Sequence, residues 1–145
     1  MTKLRFTPWR YLTSLFLALC MLALPLTASA DFYDQPILTE AELLKFIDDM
    51  PNYLQWARQN KEQSHPSLDK QGRPSFSYSA KAATKVTELG WKAERFFCVM
   101  GRTAAALALG GHKPGLDKPV DMPMISPKEL TLVRRHMDKL DAIGK

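Results

Sequence analysis

Apolar residues recur at helical spacing after residue 39 and predict a first amphipathic helix. They are Leu43, Phe46, Ile47, Met50, Leu54 and Ala57, which share one face of a helix. Thr39 can cap its start, because Glu42 follows at the capping-box spacing and Leu38 and Leu43 occupy the staple positions. Pro51 has no backbone N–H, so it either kinks one long helix or begins a second one.

Two further helices are predicted from start and stop signals. Ser79 can cap one that ends at Gly90, with a buried stripe of Ala82, Ala83, Val86 and Leu89. The other has the clearest start, since Ser126 caps it, Pro127 takes its first position and Glu129 closes a capping box. Its inward residues are expected to be Leu130, Val133, Met137 and Leu140.

Residues 91–109 are predicted to form a helix with two apolar faces. One face carries Ala93, Phe96, Phe97, Met100, Ala104 and Leu107, and a second stripe carries Trp91, Cys98, Ala105 and Leu109. A helix that is apolar nearly all round is usually central in its bundle. The alternative is that the second stripe contacts another subunit or a ligand.

Two long polar segments, 62–78 and 110–127, are predicted as loops because Pro and Gly punctuate both. Phe76 and Tyr78 in one, and residues 120–125 with Met122 and Met124 in the other, could frame a shallow apolar site. The alternative is that both loops wrap the bundle. The predicted class is therefore all-α, with four helices, or five if Pro51 divides the first.

The first 30 residues have the pattern of a secretory signal peptide. Three basic residues precede an apolar run from Leu12 to Leu24, and Pro25 and the small-x-small motif Ala28-Ser29-Ala30 follow. We expect cleavage after Ala30, which gives one domain over 31–145 in the periplasm or outside the cell. The alternatives are a retained anchor and a lipoprotein modified at Cys20.

Removal of this leader changes the charge and the cysteine count. The leader holds three of the chain's 20 Lys and Arg residues and none of its 15 Asp and Glu residues, so the formal charge falls from +5 to about +2. That balance, without a basic cluster, argues against nucleic-acid binding. One cysteine, Cys98, remains, and no disulfide within the chain can form.

Cys98 has a candidate chemistry of its own. Arg95 and Arg102 lie three residues before it and four after it, and such cations favour a thiolate. A redox thiol is one hypothesis, and a buried small hydrophobe is the other. A copper site using His112, His136 and the methionines is a related possibility.

No catalytic motif is present, since the chain has no G-x-S-x-G elbow, H-E-x-x-H helix or C-x-x-C pair. We therefore expect a non-catalytic helical protein without cofactor or metal, which binds another envelope protein or itself and has no membrane span after cleavage. The thiol or copper protein is the alternative function. The candidate binding residues are Trp91, Cys98, Phe76, Tyr78, Met122 and Met124.

Overall fold

The computed structural model describes residues 28–31, 34–111 and 123–143. Within these ranges the chain is mostly helical, with five helices and three short strands. The helices are α1 (Glu40–Asn60), α2 (Ala80–Glu88), α3 (Ala93–Gly111), α4 (Pro127–Arg135) and α5 (Met137–Ile143), and the strands are β1 (Ala28–Asp31), β2 (His65–Leu68) and β3 (Pro74–Tyr78). The helical class is thus confirmed, but the absence of a sheet was predicted wrongly.

Helix α1 begins at the predicted capping box and is not divided. The Thr39 hydroxyl accepts from the Glu42 N–H at 3.3 Å, and the Thr39 N–H donates to the Glu42 carboxylate at 3.1 Å. Pro51 lies inside the helix, which continues to a left-handed cap at Lys61. The fifth helix therefore does not come from Pro51.

The fifth helix comes instead from a break at His136 in the last helical region. The His136 N–H donates to the Val133 carbonyl, three residues back, rather than to the residue four back. Upstream of this break, α4 has the predicted capping box of Ser126 and Glu129, with Pro127 at its first position. The single final helix of the sequence analysis is therefore two helices, α4 and α5.

The segment 62–78, predicted as a loop, folds largely as a β-hairpin. Strand β2 pairs antiparallel with β3, with Leu68 opposite Pro74 and His65 opposite Ser77. The turn is closed by Asp69, whose carboxylate accepts from the N–H groups of Gln71 and Arg73, both at 2.8 Å. The pattern missed β2 because this exposed strand has no apolar alternation.

Strand β3 is the middle strand of the sheet, in the order β1-β3-β2. Strand β1 also pairs with β3 antiparallel, and its register places Ala28 opposite Tyr78 and Asp31 opposite Ser75. Strand β1 therefore contains the predicted cleavage motif.

Helix α3 is the centre of the fold, as its two apolar faces predicted. It packs against α1, α2, α4, β1 and β3. Phe96 and Phe97 are fully buried and make aromatic contacts with side chains from α1, β3 and the α2–α3 turn. Ala104, which the periodicity placed inside, is exposed. Among the residues that the structure describes, no helix is both long and apolar enough to cross a membrane.

Candidate functional site

A buried ion pair joins α3 to the start of α4. Arg102 donates from Nε to Oε1 of Glu129 at 2.5 Å and from Nη2 to Oε2 at 3.0 Å. The two side chains are 6% and 1% exposed. Two backbone N–H groups, of Leu38 and Ser126, also donate to this carboxylate, each at 2.9 Å. Four donors therefore converge on one buried carboxylate.

The protonation of Glu129 follows from these contacts. Burial disfavours the charged form, but the hydrogen bonds from Arg102, Leu38 and Ser126 outweigh it and lower the pKa to about 2. Glu129 is therefore ionised at neutral pH, and it both closes the capping box of α4 and is the counter-ion of Arg102.

A second arginine on α3 holds the start of α1 in the same way. Arg95 donates from Nε and Nη2 to the two carboxylate oxygens of Glu42, at 2.6 and 2.7 Å. The hydrogen bond from Arg95 is the main reason that the pKa of Glu42 falls to about 2, although partial burial opposes it. Arg95 also donates to the carbonyls of Pro36 and Ile37, at 2.8 and 3.2 Å.

We call these two ion pairs, Arg95–Glu42 and Arg102–Glu129, the arginine clamps. Arg95 and Arg102 are seven residues apart, which places them two turns apart on one side of α3. Between them they hold residues 36–38, because Arg95 binds two carbonyls of this segment and Glu129 binds the Leu38 N–H. The lead segment 36–38 is therefore fixed by charge-assisted hydrogen bonds although it has no regular structure.

An open groove of about 480 Å³ lies between the lead segment and α4, and we call it the α4 groove. Its lining residues are Ile37, Leu38, Pro127, Lys128, Thr131, Leu132 and Arg135. Ile37 is an exposed large hydrophobic residue at 45%, whereas Leu38 is buried. The groove therefore combines apolar side chains from both walls with two cations from α4.

The two cations are spaced along the groove. Lys128 and Arg135 are seven residues apart, or about 10 Å along the helix axis. Arg135 lies 3.3 Å from the Glu40 carboxylate, which also contacts the His136 ring at 2.8 Å. Because Arg135 and Glu40 are both well exposed, their interaction is weak.

The predicted binding residues Phe76 and Tyr78 are part of the core. Both are buried, and their rings stack on Phe97 with centroid distances of 5.7 and 4.1 Å. Strand β3 places them there because alternate side chains of a strand point to the same face. They are anchors of the sheet rather than an exposed aromatic platform.

Trp91 is also occupied by contacts within the chain. It is 7% exposed, its Nε1–H donates to Asp49 at 2.7 Å, and the Lys45 ammonium lies 4.9 Å from its ring centroid. Lys45 also donates to the Leu89 carbonyl at 2.8 Å, so these residues join α1 to the α2–α3 turn. The second apolar stripe at Trp91 thus faces this protein's own core.

Cys98 is fully buried, and its pKa moves in the direction opposite to that of the redox-thiol hypothesis. Arg95 Nη1 does lie 3.8 Å from its Sγ. Burial nevertheless outweighs the nearby cations Arg95 and Arg102 and raises the thiol pKa to about 11. At physiological pH Cys98 is therefore a neutral thiol, and not the thiolate that the spacing of Arg95 and Arg102 favoured.

Of the predicted methionines, Met124 is the residue that the structure leaves available. Its side chain is 74% exposed, and its carbonyl accepts from Arg102 Nη2 at 3.4 Å. Met122 and His112 lie outside the described residues. In the ranges that are described, no group of three or more His, Cys, Asp or Glu residues could hold a metal ion.

The arginine clamps and the α4 groove were not predicted from the sequence, although part of the signal for the clamps was present. The capping-box spacing identified Glu42 and Glu129, and Arg102 lies within the apolar stretch of residues 91–109. A cation there requires an anion or a strong acceptor, and the two capping glutamates were candidates. The groove gave no such signal, because it depends on how the lead segment and α4 come together.

No match to the chain was found among family models, curated proteins or solved structures. A function for this protein has therefore to be inferred from its own residues and their contacts. The α4 groove and the arginine clamps behind it are the features that carry such an inference.

Glu129→Gln is expected to destabilise the fold by about 3 kcal/mol, because it removes the charge that faces Arg102 in the core. The glutamine side chain would also place its NH₂ group, a donor, against the N–H groups that donate to the Glu129 carboxylate. The matched change Glu42→Gln affects a partly exposed clamp and is expected to lose about 1 kcal/mol. Urea unfolding would measure both, and equal losses would contradict the difference in burial.

Acid is expected to destabilise the protein through the same two carboxylates. Their folded pKa of about 2 lies below the ordinary value of 4.5. Their contribution to the free energy of unfolding is thus complete above about pH 4.5 and declines as the pH falls toward 2. Urea midpoints across this range at constant ionic strength should fall, and the Glu42→Gln/Glu129→Gln variant should show a shallower fall. Parallel curves for the two proteins would show that other groups control acid unfolding.

Cys98 is expected to resist alkylation in the folded protein, because it is buried and its thiol is protonated at neutral pH. Iodoacetamide labelling at pH 8, followed by mass spectrometry, should be at least tenfold slower in buffer than in concentrated guanidinium chloride. Glutathione under the guanidinium condition provides the control for intrinsic thiol reactivity. Equal rates in the two conditions would mean that the thiol is accessible.

Proposed function

We propose that this chain is an exported, non-catalytic interaction protein of the cell envelope, which binds an acidic amphipathic segment of another protein in the α4 groove. The observation that carries the proposal is the composition of the groove. The apolar residues Ile37, Leu38 and Leu132 line it together with the cations Lys128 and Arg135. An amphipathic partner segment can bury its apolar residues on such a surface and direct its carboxylates to the rim.

The arginine clamps support this proposal because they pre-organise one wall of the groove. The lead segment is irregular, and an irregular segment normally loses entropy when a partner orders it. Here three backbone groups of that segment already bind Arg95 and Glu129. A partner that docks there therefore meets a surface that is already ordered.

The shape of the groove favours a protein segment over a small molecule. Small-molecule sites enclose most of their ligand in a concave pocket. The α4 groove is instead open and runs along two turns of one helix, between Lys128 and Arg135. An elongated partner can contact both of its ends.

The leader pattern supports export, with the basic start, the apolar run of residues 12–24 and the motif at residues 28–30. The burial of Cys98 is compatible with an oxidising compartment, because a covered thiol does not readily form disulfides with other chains. The same burial and the raised pKa of Cys98 argue against the thiol-redox alternative, so the binding function is the one we propose.

Photo-crosslinking in living cells tests the proposal, because the adduct itself reveals the partner. Benzoylphenylalanine is placed at Thr131 in the groove, and at Lys81 on α2 as the matched exposed control. We expect a discrete protein adduct from position 131 in the exported fraction and none from position 81. The crosslinked protein is then identified by mass spectrometry.

Charge reversal provides the second part of this test. Lys128→Glu should weaken the adduct formed from position 131, because it places a carboxylate where the partner's carboxylates are expected. Lys92→Glu, an exposed change outside the groove, should leave the adduct unchanged. No adduct from position 131, or the whole chain in the cytosolic fraction, would contradict the proposed function. An adduct with a second copy would replace the acidic partner with self-association.

A further inference from the structure

Strand β1 and the predicted cleavage motif are the same residues. The strand consists of Ala28, Ser29, Ala30 and Asp31. It covers one edge of β3, with Ala30 opposite Phe76 and Ser29 opposite Ser77. Cleavage after Ala30 would remove all of β1 except Asp31, together with the backbone partners that β1 supplies to β3.

Strand β3 has contacts that do not involve β1. Strand β3 stays attached on its other side to β2, and Tyr78 stacks on Phe97 of α3. Processing would therefore leave β3 in place and uncover the edge that β1 occupies.

An uncovered strand edge is a template for pairing with another chain. Long edges of this kind are usually blocked by charge, by proline or by a covering element. The β1-facing edge of β3 is covered in this structure by a segment that the export pattern marks for removal. Loss of residues 28–30 would therefore leave this edge of β3 without the strand that pairs with it in this structure.

We propose that cleavage of the leader opens the β3 edge, and that this edge then takes an extended, small-residue segment of a partner protein, antiparallel to β3. In this structure Ala28, Ser29 and Ala30 pair with this edge of β3, so a segment of small residues is the one that we expect to bind there. Strand β1 also lies beside α3, so a segment that replaces it would run along the same helix. This inference rests on the export in the proposed function, but it concerns a surface separate from the α4 groove.

The leader's own sequence supplies the probe. The protein is purified from the exported fraction, and its N-terminus is determined by mass spectrometry. A fluorescein-labelled peptide with the sequence of residues 26–33 is then titrated with this protein and followed by fluorescence anisotropy. We expect an N-terminus at Asp31 and saturable peptide binding.

A Ser29→Pro/Ala30→Pro peptide is the matched control. Successive N–H groups of a strand point to opposite sides, so replacing two neighbours removes one that points to β3. We expect this peptide to bind at least tenfold more weakly. The Lys128→Glu protein should bind the unaltered peptide as tightly as the parent protein does, because the groove is not involved.

Three results would overturn the inference. The first is an exported protein that begins at or before Ala28 and so keeps β1. The second is the absence of saturable binding to the processed protein, or equal binding of the two peptides. The third is a dimer in analytical ultracentrifugation that excludes the peptide, which would assign the edge to a second copy. None of these results affects crosslinking from Thr131, so failure here is distinguishable from failure of the groove proposal.

Discussion

The fold depends on the requirement that a charged arginine inside an apolar helix has a counter-charge. Arg102 lies at the centre of α3, where burial without an anion would be strongly unfavourable. Glu129 satisfies it, and the same carboxylate caps α4 and binds the Leu38 N–H. One buried carboxylate thereby fixes α4 and the lead segment on α3, and these two elements form the walls of the α4 groove.

Local signals in the sequence predicted the local parts of this structure. The capping boxes at Thr39 and Ser126 and the stop at Gly90 hold, because each depends on residues within one turn of each other. Gly90 has a φ of +79°, which glycine adopts without strain. The central position of α3 also followed from its own composition, since both of its apolar faces required burial.

The parts that could not be predicted depend on contacts between distant segments. Strand β2 is exposed and carries Pro66, so it becomes recognisable as a strand only when β3 lies beside it. Cys98 shows the same limitation in its chemistry. The spacing of Arg95 and Arg102 correctly indicated nearby cations, but the burial that dominates the thiol pKa comes from other elements. The spacing of residues in the sequence identifies neighbours along a helix, but it does not show how far other elements bury a side chain such as Cys98.

Glu42 and Glu129 each take part in a helix cap and in an ion pair, and this affects how the protein unfolds. Each glutamate accepts from the backbone N–H of the capping residue of its own helix and also binds an arginine of α3. Fraying of either helix start would therefore release a tertiary contact, and undocking from α3 would loosen the cap. Secondary and tertiary structure are coupled at both points, which favours cooperative, all-or-none loss of the native state over stepwise melting of its helices.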